Sequence, residues 1–261
     1  MAMGIRPLGD LPLIEPTSTE SYRLALKAKI LADDHAYHFQ ALPGSERAQA
    51  EAAEYLCRRL SLTWPSEDMD PLDAVGRELD ADLLLLDGSQ EGVPLIAGQL
   101  CFANDWCLED KLGRSFLAVH DIVPGFEATI GSPSLKLLER MKPDRPVWRL
   151  NWSIKPTDRL DLSPRWAEWV NARKESVTAA NAGDRCYFRI ERQTLSRLPA
   201  TQTVLFTVQT FVARMEELAA DPARARRLAS VLRTVPQPML DYKGIAPFAA
   251  PLLAYLDDAA R

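Results

Sequence analysis

Strand patterning in the second half of the chain constrains the fold more than any other feature. The segment Val147-Trp148-Arg149-Leu150-Asn151-Trp152-Ser153-Ile154 alternates strictly. Successive side chains of a strand point to opposite faces, so Trp148, Leu150, Trp152 and Ile154 share one face and Arg149, Asn151 and Ser153 the other. The segment around Arg189 repeats the pattern, with Phe188 and Ile190 opposed to Tyr187, Arg189 and Glu191. A third segment, 202–212, is apolar on both faces: Val204, Phe206 and Val208 against Leu205 and Phe211. That is the mark of a strand covered on both sides. A covered central strand implies covered neighbours, so Arg149, Asn151, Arg189 and Glu191 are expected to line a partly enclosed polar pocket. Buried charge needs a partner, and Arg189 finds one in Glu191 or in a bound anion. The competing reading of both polar rows is a solvent-facing sheet surface.

Two earlier apolar runs flank a turn. Residues 82–87 contain Leu83-Leu84-Leu85-Leu86, then comes Gly88-Ser89-Gln90-Glu91-Gly92, and 93–102 is apolar again. This reads as a β-hairpin. Five strands, mostly antiparallel, are therefore expected over 82–87, 93–102, 147–155, 185–193 and 202–212. Residues 1–19 read as an extended arm. A helix over 20–32 is capped by Ser18 or Thr19, with Tyr22, Leu24, Leu26, Ile30 and Leu31 as its apolar positions. A second spans 45–60 with the stripe Ala52, Tyr55, Leu56 and Leu60, and Pro65 ends that region. A third spans 71–79 behind Asp70. After the strands come helices over 213–220, over 222–232 opened by Asp221-Pro222, and over 247–258. The fold class is α+β. One domain is expected over 1–261, with its sheet core at about 80–212 and helical extensions over 1–79 and 213–261. Between hairpin and later strands, 103–145 is loop-rich with a short helix near 134–141. An excursion that long in a compact domain is usually functional.

Composition narrows the chemistry. The formal charge is -5, from 31 basic and 36 acidic residues, which disfavours nucleic acid as a partner. Cys57, Cys101, Cys107 and Cys186 show no Cys-x-x-Cys spacing, so neither a zinc site nor an iron–sulfur cluster is expected. Reduced thiols, no membrane span and no signal-peptide pattern at the start point to a cytoplasmic protein. Only three histidines are present. His35 and His38 read as ends of the first helix, where the dipole favours them. His120 lies in the excursion, after Phe116, Leu117 and Val119 and before Val123-Pro124-Gly125. Arg189, Arg192 and Arg197 form an Arg-rich strand end suited to gripping a carboxylate or phosphate, or to an ordinary charged turn.

Several motifs in order carry a resemblance. Phe102 through Trp106, Asp110-Lys111-Leu112-Gly113 and His120-x-x-Val123-Pro124-Gly125-Phe126 come first. Arg149-x-Asn151-Trp152-Ser153-Ile154 and Arg189-x-Glu191-Arg192-x-x-Leu195-x-Arg197-Leu198-Pro199 follow. Together they resemble the haem-dependent oxidative N-demethylase alpha-subunit-like family over roughly residues 80–235. The resemblance implies a PAS-like fold, a five-stranded antiparallel sheet with helices. It implies haem b, with His120 as the iron's axial ligand. Arg149, Arg189, Arg192 and Arg197 are then candidates for the haem propionates, and Glu191, Asn151 and Tyr187 for the distal, catalytic side. The implied activity is removal of a methyl group from a small alkylamine such as dimethylamine with O₂. Electrons would come from a separate reductase carrying FMN and a 2Fe–2S cluster. The alternative is a PAS-like haem or small-molecule binding or sensor protein without turnover. The sequence leaves the oligomeric state open.

Overall fold

The computed structural model describes residues 4–64 and 68–261. Pro65 lies outside the described residues. The chain opens with β1 (Arg6–Pro7), α1 (Glu20–Asp33), α2 (His35–His38), β2 (Phe39–Ala41), α3 (Glu46–Leu60) and α4 (Pro71–Arg77). The hairpin β3 (Asp82–Leu86) and β4 (Leu95–Gln99) follows, then α5 (Phe116–Val119) and α6 (Ser132–Arg140). Next come β5 (Val147–Lys155), α7 (Ala167–Glu175), α8 (Ala182–Arg185), β6 (Tyr187–Arg197) and β7 (Val204–Arg214). Four helices close the chain: α9 (Met215–Ala219), α10 (Pro222–Thr234), α11 (Gln237–Tyr242) and α12 (Ala249–Ala259). Among the described residues no helix is long and apolar enough to cross a membrane.

The α+β class holds, but the sheet has seven strands, not five. It is antiparallel and open, in the order β1-β5-β6-β7-β3-β4-β2. The five expected strands are β3 to β7. The two extra ones sit at the edges, β1 pairing Arg6 with Trp148 and β2 pairing Phe39 with Gln99. They are two and three residues long, too short to show a two-residue period. The extended arm thus contributes a strand.

The chain gathers into two compact units. The first takes residues up to Asp121 together with Gly125–Leu150 and Arg192–Gln209. The second takes Ile122–Pro124, Asn151–Glu191 and Thr210–Arg261. The chain passes between them within β5, β6 and β7. In the first unit, Leu83, Leu85 and Leu205 pack with Ala52, Ala53 and Leu56 of α3 and Leu72 and Val75 of α4. On the other sheet face, Leu84 and Val208 pack with Leu100 and Leu108, and Leu86, Val204 and Leu195 with Leu138 of α6. The first-unit part of β7 is thus covered on both sides, as its double apolar pattern requires. Each such leucine buried contributes about 1.5–3 kcal/mol. In the second unit, Ile154, Cys186 and Met215 pack with Ala225 and Ala229 of α10 and Leu252 and Leu256 of α12.

The first helix differs from expectation in its buried face. α1 buries Arg23, Lys27 and Leu31, while Tyr22 is exposed. The cause is what it packs on. Arg23 Nε lies 2.7 Å from Asp80 Oδ1, and Lys27 donates to backbone carbonyls around the end of α4.

Candidate functional site

Each unit holds one group of the residues singled out above. In the first unit the 103–145 excursion is pinned at both ends of a short loop. Gly113 takes a φ of +78° and donates its N–H to the Leu95 carbonyl at 2.7 Å, tying the loop to β4. Ser115 then caps α5, its Oγ accepting from Ala118 N at 3.4 Å. Lys111 Nζ donates to the Val119 carbonyl at 2.7 Å, at the C-terminal end of that helix. His120 is the next residue, and its N–H donates to the Leu117 carbonyl at 3.0 Å.

The His120 ring is held on both sides. It stacks on Phe126 with 4.5 Å between centroids and an 11° tilt, and Phe116 lies at 4.6 Å. Its Nδ1 is 2.8 Å from the Phe116 carbonyl. A carbonyl only accepts, so Nδ1 carries the proton and Nε2 presents the lone pair. Burial depresses the imidazole's proton affinity, and the charges of Lys111 and Arg149 add to that. The ring is therefore neutral near pH 7. Gly131, at the end of the π-helical turn Glu127–Gly131, lets the chain close on this cluster, because a Cβ there would stand 3.3 Å from the Leu117 side chain.

In the second unit β5 and β6 bring Asn151, Arg189 and Glu191 together. Asn151 Nδ2 donates to Glu191 Oε2 at 3.2 Å, and Arg189 Nε lies 3.8 Å from Glu191 Oε1. Arg189 is 1% exposed and Glu191 7%, so the polar row here is buried rather than solvent-facing. Arg189 also donates to the Leu160 carbonyl at 2.9 Å, holding the 157–163 loop. Tyr187 starts β6, with the Arg214 guanidinium 5.9 Å from its ring centroid. Burial and the nearby Asp158 and Asp184 carboxylates push its phenol above its ordinary range. Ser153, two residues beyond Asn151 on the same strand face, is 3% exposed, and its Oγ has no hydrogen-bond partner among the described residues. Sequence reasoning placed Ser153 on this polar face but gave it no role.

The remaining arginines are largely committed to the backbone. Arg192 lies one residue past Glu191, hence on the opposite face of its strand. It donates to the carbonyls of Leu13 at 2.7 Å and Pro12, and pairs with Glu15 at 3.3 Å. Arg197 donates to the Gly88 carbonyl at 3.0 Å and the Leu138 carbonyl at 3.4 Å. The other histidines are structural. His35 pairs with Asp73 at 2.8 Å, and His38 bonds the Leu100 carbonyl at 2.8 Å. Both sit on α2, a separate turn begun by Asp34, rather than on the first helix.

Comparison with known families decides what this arrangement belongs to. The family model described as haem-dependent oxidative N-demethylase, alpha subunit-like, matches residues 61–253. The chain belongs to this family. All eight candidate residues of this N-demethylase-like chain fall inside the matched stretch, and α1 to α3 precede it. Haem dependence, named in the family's description, can be tested against the donor set. Among the described residues no three His, Cys, Asp or Glu side chains converge to hold a bare ion. A haem brings four equatorial nitrogens of its own and asks the protein for one or two ligands. A neutral imidazole with Nδ1 fixed by a carbonyl and Nε2 presented is such a ligand, and Lys111 and Arg149 supply positive charge nearby. The residues of the N-demethylase-like chain fit the group.

Proposed function

We propose that this chain is the haem-bearing part of an oxidative N-demethylase acting on a small secondary amine such as dimethylamine. The observation that carries the reading is the His120 arrangement: Nδ1 bound to the Phe116 carbonyl, the ring packed between phenylalanines, Nε2 presented. His120 would ligate the iron. Arg149, whose charge acts on the His120 ring, is the propionate candidate nearest that reading, and Arg192 and Arg197 remain candidates beside it. Arg189 balances Glu191. When bound, haem b supplies activation of O₂ for oxidation of the N-methyl carbon. Glu191, held by Asn151 and Arg189, is the candidate hydrogen-bond acceptor for a protonated amine. Tyr187 and Ser153 supply hydroxyl donors on the same polar row. Electrons come from an external reductase with FMN and a 2Fe–2S cluster. The five long strands form one contiguous run, β5-β6-β7-β3-β4, which supports the PAS-like reading. All four cysteines are thiols, which supports a cytoplasmic setting.

The test is an absorption spectrum of purified protein titrated with haem, followed by turnover. A Soret band that His120→Ala abolishes or shifts is expected. So is formaldehyde release on adding reductase, NAD(P)H and dimethylamine. A band unchanged in His120→Ala removes His120 as ligand. Haem binding without formaldehyde from any small methylamine favours the sensor reading, and no band at all defeats both.

A further inference from the structure

Asp110-Lys111-Leu112-Gly113 does more than lend charge to the surroundings of His120. α5, which leads into the histidine, is four residues long. A single turn is unstable by itself, and its last carbonyls have no partner within the helix. Here they are met from outside it. The Phe116 carbonyl accepts from the His120 Nδ1–H at 2.8 Å, and the Leu117 carbonyl from the His120 backbone N–H at 3.0 Å. The Val119 carbonyl accepts from Lys111 Nζ at 2.7 Å.

The Val119 carbonyl and the His120 N–H belong to one peptide plane. With its oxygen held by Lys111 and its N–H by Leu117, that plane cannot rotate without breaking a hydrogen bond. This limits the directions in which the His120 side chain can leave the backbone, and keeps Nδ1 within reach of the Phe116 carbonyl. Lys111 is 6% exposed, and among the described residues the Val119 carbonyl is the one hydrogen-bond partner of its ammonium. Asp121, the residue after His120, pairs with Arg114 at 2.7 Å. The loop that carries both cations is fixed to the sheet. Gly113 donates to the Leu95 carbonyl at 2.7 Å, and Leu95 donates to the Arg114 carbonyl at 3.1 Å. Leu95 lies on β4, which has a strand on either side, so Lys111 acts from a rigid base.

We propose that Lys111 is the positioning residue of His120: by holding the Val119 carbonyl it keeps the ring in the Nδ1–H form, with Nε2 presented. The consequence for haem binding rests on His120 being the iron's ligand, as proposed above, whereas the effect on the ring is present without haem. A ligand already held in one tautomer and one orientation needs no reordering when the iron arrives. Loss of a group that orients a metal ligand lowers metal affinity about 10–100-fold.

The test compares the full chain with Lys111→Met, which keeps the stem and loses the donor, and with Lys111→Arg, which keeps a donor. The first readout needs no haem. Nitrogen NMR of the imidazole rings is recorded at about pH 8, where a histidine is neutral, with the His120 signals identified by their loss in His120→Ala. The Nδ1–H form is expected in the parent and in Lys111→Arg, and a mixture of both tautomers in Lys111→Met. A lysine that served stability alone would lower the melting temperature and leave the tautomer as it was. The second readout is haem affinity from the Soret titration. It is expected to fall about tenfold or more in Lys111→Met and to return to within about threefold in Lys111→Arg. If Lys111→Met does not fold, Lys111→Gln, whose amide stops short of the carbonyl, carries the same expectations. The proposal is overturned if the His120 ring keeps the Nδ1–H form without the donor. It is also overturned if haem affinity there stays within about twofold of the parent while His120→Ala abolishes the band. A band unchanged in His120→Ala defeats the ligand reading alone, and the tautomer then decides for or against Lys111.

Discussion

Lys27 is fully buried, and its ammonium donates to the carbonyls of Gly76 at 2.6 Å, Leu79 at 3.1 Å and Ala81 at 2.6 Å. Burial pulls its proton affinity below the ordinary lysine range, opposed by the charges of Asp82, Asp80 and Asp73. One side chain thus satisfies three backbone acceptors where α4 ends. Lys27→Met keeps much of the volume and removes all three donors. The expected loss is about 3 kcal/mol or more, since each dry carbonyl costs about 1–3 kcal/mol. Urea unfolding with an unchanged midpoint would refute this role. Nothing in the sequence around Lys27 marks it, because its partners lie about 50 residues away in sequence. Apolar periodicity pointed instead to Tyr22, Leu24 and Leu26, and the polar neighbours of α1 reverse that choice. The contacts of the His120 ring are local by contrast. Phe116 and Phe126, which hold its ring, lie within six residues of it. The partners of Arg192 and Arg197 come from Pro12, Leu13, Gly88 and Leu138, so their commitment to the backbone was invisible from strand alternation.

At the scale of elements, strands with a full alternating or doubly apolar pattern were readable, and very short ones were not. Val147–Lys155 carries the pattern throughout and was placed to the residue. β6 runs on to Arg197, four residues past its expected end, because its later polar residues are satisfied inside the sheet layer. Thr194, for example, is 1% exposed and shares a hydrogen bond of 2.6 Å with Thr207 of β7. Helix starts follow local chemistry, and Asp221 is the clearest case. Its carboxylate accepts from Ala223 N at 2.9 Å and Arg224 N at 3.4 Å, with Pro222 in the first turn. Asp221→Ala is expected to cost about 1 kcal/mol, visible as a lower melting temperature without loss of fold. Asp221→Asn should restore most of it, since the amide oxygen still caps. If Asn behaves like Ala, the cap is not what stabilises α10. Thr19 and Asp70 stand at helix starts as expected, yet neither makes a side-chain cap bond.

Over the whole molecule the thiols report on folding. Cys101, Cys107 and Cys186 are buried, and Cys57 is half-buried. Burial pushes the Cys186 thiol up to about 12 from an ordinary value of 9.0. At pH 8 the native thiolate fraction there is about 10⁻⁴, so iodoacetamide should modify Cys57 first and Cys186 only on unfolding. The same shift gives a direction to alkaline unfolding. An acid group whose folded pKa is raised loses its proton first in the unfolded chain. Below pH 9 both states hold the proton and stability is unaffected. Between 9 and about 12 the unfolded chain releases it while the folded chain does not, so stability falls as pH rises. Urea midpoints between pH 8 and 11 should drop, with Cys186 contributing a slope of up to about 1.4 kcal/mol per pH unit. Cys186→Ala removes that contribution and should leave a shallower pH dependence, whatever it costs in packing. A slope identical to that of the parent protein would mean that Cys186 is not ionising in the unfolded chain ahead of the folded one.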